Sequence, residues 1–382
     1  MTSVGAPPRP TVRLDRLTSL RFFAAAGVVV CHVPLLTNSL TSFSVTARFA
    51  TGVPFFFILS GFVLTWAHRP DDPATPFWRK RFARVYPLQA VTWVLALVLI
   101  HELGHRHQEL HNTVLSLFLL QAWVPVSGTY FATNAVAWTL SVEAFFYLTF
   151  PLAVRRLWGL HDRGRRLVVG ACGLLILLNL LAVPLGSNAF GLWWVKIFPV
   201  TQLPLFLIGI VLALQVEDGW RPRLSWPVTA ATGAVAVAVS YAIPEPYWRV
   251  APVVVPFVLV ILHAVTADLE DRPGLLRHPW LVRLGIWSFA LYLCHGLVIN
   301  VLGHAIGHPV GWRAGLVLQP VVMVLSLALS ALLHEGVERP LEKRLRGAPP
   351  RVELSSQQEP AVPQGAPGED GHLGEVDDQR RR

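Results

Sequence analysis

The stretch "SLRFFAAAGVVVCHVPLL" (Ser19 to Leu36) decides how the rest of the chain is read. It is apolar and long enough to cross a bilayer, for which about 20 residues suffice. Yet it carries Arg21 and His32. An ionisable side chain at membrane depth costs free energy unless it meets a partner or water, and so marks function by default. The two residues are eleven positions apart. That is close to a whole number of turns, so they share a helical face, with His32 roughly 16 Å further along the axis. Arg21 alone also suits an anchor snorkelling to the headgroups, and His32 suits a histidine satisfied by its packing. An imidazole titrating near neutrality can equally take a proton from a hydroxyl.

The composition agrees with a membrane bundle. Of 382 residues 53% are hydrophobic and 14% charged, against about 25% charged in a soluble domain. Mean hydropathy is +0.49. The net charge of +9 is spread among apolar segments, which points to membrane topology and not to nucleic acid. Cys31, Cys172 and Cys294 all lie in apolar runs, so neither a disulfide framework nor a metal site is expected. The polar lead before Arg21 is long for a secretory signal and no small-residue cleavage site follows it, so the first apolar run is expected to remain as a span.

Spans are expected to begin near Leu20, Ala50, Val85, Trp138, Leu167, Val200, Pro227, Val250, Leu284 and Gly315. An eleventh apolar piece, "TVLSLFLLQAW" (Thr113 to Trp123), is shorter and reads as a span or a re-entrant segment. Lys and Arg gather on the cytoplasmic side. With ten spans and both termini inside, 27 of the 32 Lys and Arg residues are cytoplasmic, and only Arg48, Arg106, Lys196, Arg249 and Arg313 are outside. Letting the short piece cross would invert every later loop and spoil that bias. The fold class is therefore an all-α integral membrane bundle of about ten helices. Residues 1–345 form the embedded domain, and the polar stretch 346–382 is expected to be a disordered cytoplasmic tail.

Three further stretches place polar groups in or beside the bundle. "FWRKRFARVYP" (Phe77 to Pro87) sets Arg79, Lys80, Arg81 and Arg84 within six residues. This suits either a positive-inside cluster near anionic lipid or a phosphate clamp, because guanidinium forks match phosphate oxygens. "WTLSVEAFFYLTFP" (Trp138 to Pro151) holds Glu143 with Tyr147 one turn away. A buried carboxylate wants a cation or a hydrogen-bond donor, and a histidine from another helix would serve. "SFALYLCHGLVI" (Ser288 to Ile299) aligns Ser288 with His295 and places Tyr292 nearby, either as helix-packing glue or as part of a site. Cys31–His32 and Cys294–His295 are sequence neighbours pointing about 100° apart on a helix, which speaks against thiolate chemistry.

Together these stretches resemble the membrane acyltransferase 3 family. The matching pieces, in order, are Arg21/His32, "FFFILSGF" (Phe55 to Phe62), "RKRFARVYP", "WTLSVEAFFY", "LYLCH" and "VERP" (Val337 to Pro340). Thr139 stands where the family usually has serine, and Ala144 where a second acid is common. The resemblance implies transfer of an acyl group from a thioester donor to a hydroxyl of a sugar, glycan or natural product. It implies acyl-CoA (acetyl-CoA or a longer acyl-CoA) as co-substrate, and no permanently bound cofactor or metal. On this reading His32 is the general base with Arg21 and Glu143 beside it, Glu143 or a neighbour orienting the imidazole. Arg79, Lys80, Arg81 and Arg84 bind the CoA phosphates, and Ser60, Ser141, Tyr147, Tyr292 and His295 support the site. "TSLRFFAA", "FWRKRFARVYP" and "SLFLLQAW" look especially like the subgroup that acylates macrolide antibiotics. The implied setting is a bacterial cell membrane, with the lipid bilayer, the acyl donor and a sugar-bearing acceptor as partners. A multi-pass transporter relaying protons through the same residues is the alternative the sequence leaves open.

Overall fold

The computed structural model describes residues 12–37, 46–103, 109–181, 188–242, 250–307, 309 and 311–346. The expected tail from Gly347 onward and residues 104–108 lie outside the described residues. In hydrocarbon a backbone must satisfy its own hydrogen bonds, so apolar runs of this length fold as helices. No β-strand occurs among the described residues.

The principal helices are α1 (Asp15–Thr37), α2 (Gly52–Trp66), α3 (Ala74–Glu102), α4 (Leu110–Leu117), α5 (Trp138–Trp158) and α6 (Asp162–Leu181). They continue with α7 (Pro199–Glu217), α8 (Trp226–Ala242), α9 (Val254–Leu269), α10 (Pro279–Ile306), α11 (Trp312–Leu333) and α12 (Arg339–Leu345). Every expected span start falls within a helix or the tight turn that opens one. Counting such adjoining turns, eight of these stretches are long and apolar enough to cross a membrane. The other two expected spans are α6, which opens on the basic "DRGRR", and α8, which has 17 residues.

The segment at 113–123 does not form a helix long enough to cross. Its helix α4 has eight residues, about 12 Å of rise against a hydrocarbon core of about 30 Å. Leu119 then takes a left-handed conformation (φ +58°) that stops the helix. Irregular backbone at this depth needs cover from protein, and a polar mesh supplies it. Gln89 of α3 donates to the Ser116 carbonyl (3.3 Å), Trp93 to the Ser116 hydroxyl (3.0 Å) and Thr129 to Asn112 (2.7 Å). Asn134 ties the segment to α10 through the Leu293 carbonyl (3.0 Å).

Two helix pairs make the most extensive interfaces, α1 with α10 and α2 with α7. Glycines set how close they come. A methyl on Gly285 of α10 would overlap the Thr18 carbonyl of α1. Methyls on Gly61 of α2 and Gly209 of α7 would each overlap the other helix's backbone, at Phe206 and Ile58. Lipid tails give helices no hydrophobic drive to associate, so such close backbone approach is the main source of cohesion. At its N-terminal end α1 is latched by a buried ion pair, Arg16 Nη1 to Asp268 Oδ1 at 2.5 Å. Arg16 also donates to the Arg272 carbonyl, and Ser19 Oγ to the Leu276 carbonyl (2.6 Å).

Candidate active site

Side chains from five helices converge on one cavity of about 140 Å³. Arg21 comes from α1, Ser60 from α2, Arg81 and Arg84 from α3, Glu143 and Tyr147 from α5, and Ser288 and Tyr292 from α10. The remaining wall is mainly aliphatic and aromatic, including Val53, Phe56, Phe57, Leu140 and Phe289. An apolar cleft with a few convergent polar groups has the character of a small-molecule site.

The polar end has a definite charge pattern. Glu143 accepts the Tyr147 hydroxyl one turn along α5 and lies within electrostatic reach of Arg21, Arg81 and Arg84. Trp78 of α3 donates to the Tyr147 carbonyl (2.9 Å), which fixes α3 to α5 at this level. Arg84 is committed elsewhere. It contacts Glu342 Oε2 at 3.1 Å and Glu338 Oε1 at 3.3 Å, while Glu338 Oε2 meets His334 Nδ1 at 2.9 Å. Arg21 and Arg81 have no carboxylate at ion-pair distance among the described residues, and the buried Nε of Arg81 makes no hydrogen bond. Two guanidiniums with no carboxylate at ion-pair distance, lining an apolar cleft, form an anion-binding arrangement.

The histidines pair beyond the cavity wall. His295 Nδ1 lies 2.7 Å from the Tyr292 carbonyl, and its Nε2 lies 3.3 Å from His32 Nδ1. His32 Nδ1 also meets the Val28 carbonyl at 2.7 Å. A carbonyl only accepts, so in the neutral pair each Nδ1 carries the proton. His295 Nε2 then accepts from His32 Nδ1–H, and the His32 lone pair sits on Nε2. That is the tautomer a proton acceptor needs. The imidazole's partner is thus His295 of α10, whereas Glu143 is bonded to Tyr147.

The other expected residues are distributed unevenly. Arg79 and Lys80 are exposed on the outer side of α3 and do not line the cavity. Ser141 is buried away from it with no hydrogen bond to its hydroxyl. Ser288 lines it but donates to the Gly285 carbonyl (2.7 Å). Tyr292 accepts from Thr139 (3.0 Å) and donates to the Val136 carbonyl (3.2 Å).

A family profile described as an acyltransferase domain matches residues 14–335, a span that takes in the cavity and both histidines. The chain belongs to this acyltransferase family. Acyltransferase MdmB of Streptomyces mycarofaciens is 34% identical, covering 89% of this chain and 94% of its own. Nodulation protein 10 of Rhizobium leguminosarum bv. viciae is 28% identical over 85% of this chain and 92% of its own. O-acetyltransferase OatA of Staphylococcus aureus is 25% identical over 52% of this chain and 34% of its own. No solved structure matches.

The acyltransferase also holds a charged row next to Arg84, of which only Glu338, in "VERP", lies in a family-matching piece. His334, Glu338, Glu342 and Arg346 follow one another at four-residue steps and make one charged face. A π-turn at His334–Glu338 re-aims that face towards Arg84, and such turns often mark functional positions. The four-residue spacing is visible in "HEGVERPLEKRLR" (His334 to Arg346), but nothing in the sequence shows that it meets Arg84.

Proposed function

We propose that this acyltransferase moves an acyl group from acyl-CoA to a hydroxyl of a sugar-containing acceptor in a bacterial cell membrane. One observation carries the reading: Arg21 and Arg81, with no carboxylate at ion-pair distance among the described residues, line an apolar cleft, and the His32–His295 pair lies behind its Tyr292 wall. The guanidiniums suit the phosphates of CoA, the apolar wall suits the acyl group, and Arg84 is held in place by Glu338 and Glu342.

The step balances without any further reactant. His32 Nε2 takes the hydroxyl proton as the acceptor oxygen attacks the thioester carbonyl. The C–S bond breaks, and the leaving thiolate recovers the proton from the imidazolium, giving an ester and CoA thiol. His295 orients His32, a role expected of Glu143 or a neighbour, while Glu143 is bonded to Tyr147. Among acceptors we favour a glycosylated macrolide, on the strength of the sequence resemblance. Family membership speaks for an enzyme and against the transporter alternative.

Purified protein incubated with labelled acyl-CoA and a panel of glycosylated macrolides is expected to yield an ester. His32→Ala is expected to lower that rate by about 10²- to 10⁴-fold, the usual worth of a positioned base, with the protein still folded. Near-normal ester formation by the alanine variant would remove His32 from the chemistry.

A further inference from the structure

The cavity ends before it reaches the histidines: neither His32 nor His295 lines it, whereas Phe56 and Tyr292 do. The two rings meet edge to face with centroids 6.2 Å apart. Behind Tyr292 the His295 ring follows at 5.9 Å, and behind that His32 at 5.1 Å. A line of rings therefore runs from the cavity floor to the proposed base.

The two members of the floor differ in how they are held. Tyr292 is pinned by its hydrogen bonds to Thr139 and the Val136 carbonyl. Phe56 has no polar atom, is only half-buried, and turns about two side-chain bonds. It lines the cavity and also packs against the apolar cluster to which Val29 and Val33 of α1 and Leu291 of α10 belong. Those valines flank His32 along the helix.

We infer that Phe56 is a movable partition between the acyl cavity and His32, and that its bulk selects the acyl chain and bars water. Swinging the ring aside opens the way from the cavity towards His32. With the ring in place, the thioester stays away from the base until the acceptor is present. This rests on the reading of acyl-CoA as donor and His32 as base.

The test compares the parent with Phe56→Ala and the milder Phe56→Leu, each purified and monodisperse. CoA thiol release is followed from acetyl-CoA and hexanoyl-CoA, with and without a panel of glycosylated macrolides and sugars. Without acceptor, Phe56→Ala is expected to release CoA about tenfold faster than the parent, as water attacks the thioester to give the free acid and CoA thiol. Its preference is expected to move towards hexanoyl-CoA, with Phe56→Leu in between. Adding His32→Ala is expected to return release to background. A parent that turns over with acceptor, beside Phe56 variants of unchanged hydrolysis and chain preference, overturns the partition alone. Release that persists after His32→Ala is added also overturns it, because the opened path then does not lead to His32. A parent that releases no CoA under any condition overturns the donor reading and the partition with it.

Discussion

His295 is where the chemistry is expected to be most sensitive to a single ring. Its Nε2 lies 3.3 Å from His32 Nδ1, so His295→Ala removes a contact of the imidazole and loosens it. We expect kcat to fall by about 10- to 100-fold, below the full worth of a base, with KM for acyl-CoA unchanged; steady-state kinetics at varied acyl-CoA would read this. Arg81 should behave in the opposite way. Arg81→Lys keeps the charge but loses the planar fork, so KM for acyl-CoA should rise about tenfold, equivalent to 1.4 kcal/mol, at nearly constant kcat. Arg21 and Glu143 could be picked out in the sequence because charges in apolar runs are expensive, and Tyr147 because it stands one turn from Glu143. Separating Arg81 and Arg84 from Arg79 and Lys80 could not be done that way. Composition does not supply the helical phase that turns two of them to the cavity and two to the exterior. The partner of His32 was equally illegible, because it depends on which face of α10 crosses α1.

At the scale of elements, the crossings are set by glycine. Gly285→Ala is expected to force α10 away from α1, since the new methyl overlaps the Thr18 carbonyl. The same change at Gly173 in α6 meets nothing within 4 Å and should be neutral or slightly stabilising, as alanine is the better helix former. Comparing the two by thermal unfolding in detergent separates backbone contact from propensity. Equal behaviour would remove the close crossing as a source of cohesion. The helices themselves were readable from hydropathy alone, because a lipid-embedded backbone has few alternatives. The fate of 113–123 was narrowed by the distribution of charge, whereas the break at Leu119 is conformational and leaves no compositional trace.

For the whole molecule, we propose ten spans with both termini cytoplasmic, the arrangement that best fits the basic loops, with the eight-residue α4 too short to add a crossing. Arg163→Cys and Arg223→Cys should then react with an impermeant thiol reagent only from the cytoplasmic side, and Arg313→Cys only from outside. All three positions are exposed, and the native cysteines are buried, so background labelling should be low. Labelling of all three from one side would discard the topology. Integrity of the bundle should depend on the Arg16–Asp268 pair. Removing one member leaves an uncompensated buried charge, worth about 3–5 kcal/mol, so Asp268→Asn should sharply lower the yield of monodisperse protein while Arg272→Gln, at an exposed side chain, should not.

The latched α1 has a consequence for which donors can work. Because Arg21 and His32 ride on the same helix, and that helix is clasped at Arg16 and pressed on α10 without room for a methyl, their separation cannot adapt to the substrate. α1 acts as a ruler of roughly 16 Å between anion and base. A compact activated donor such as acetyl phosphate, whose charge sits next to its carbonyl, is too short to satisfy both ends at once. It should be refused however high its concentration, while a thioester carried on a long arm is measured and accepted.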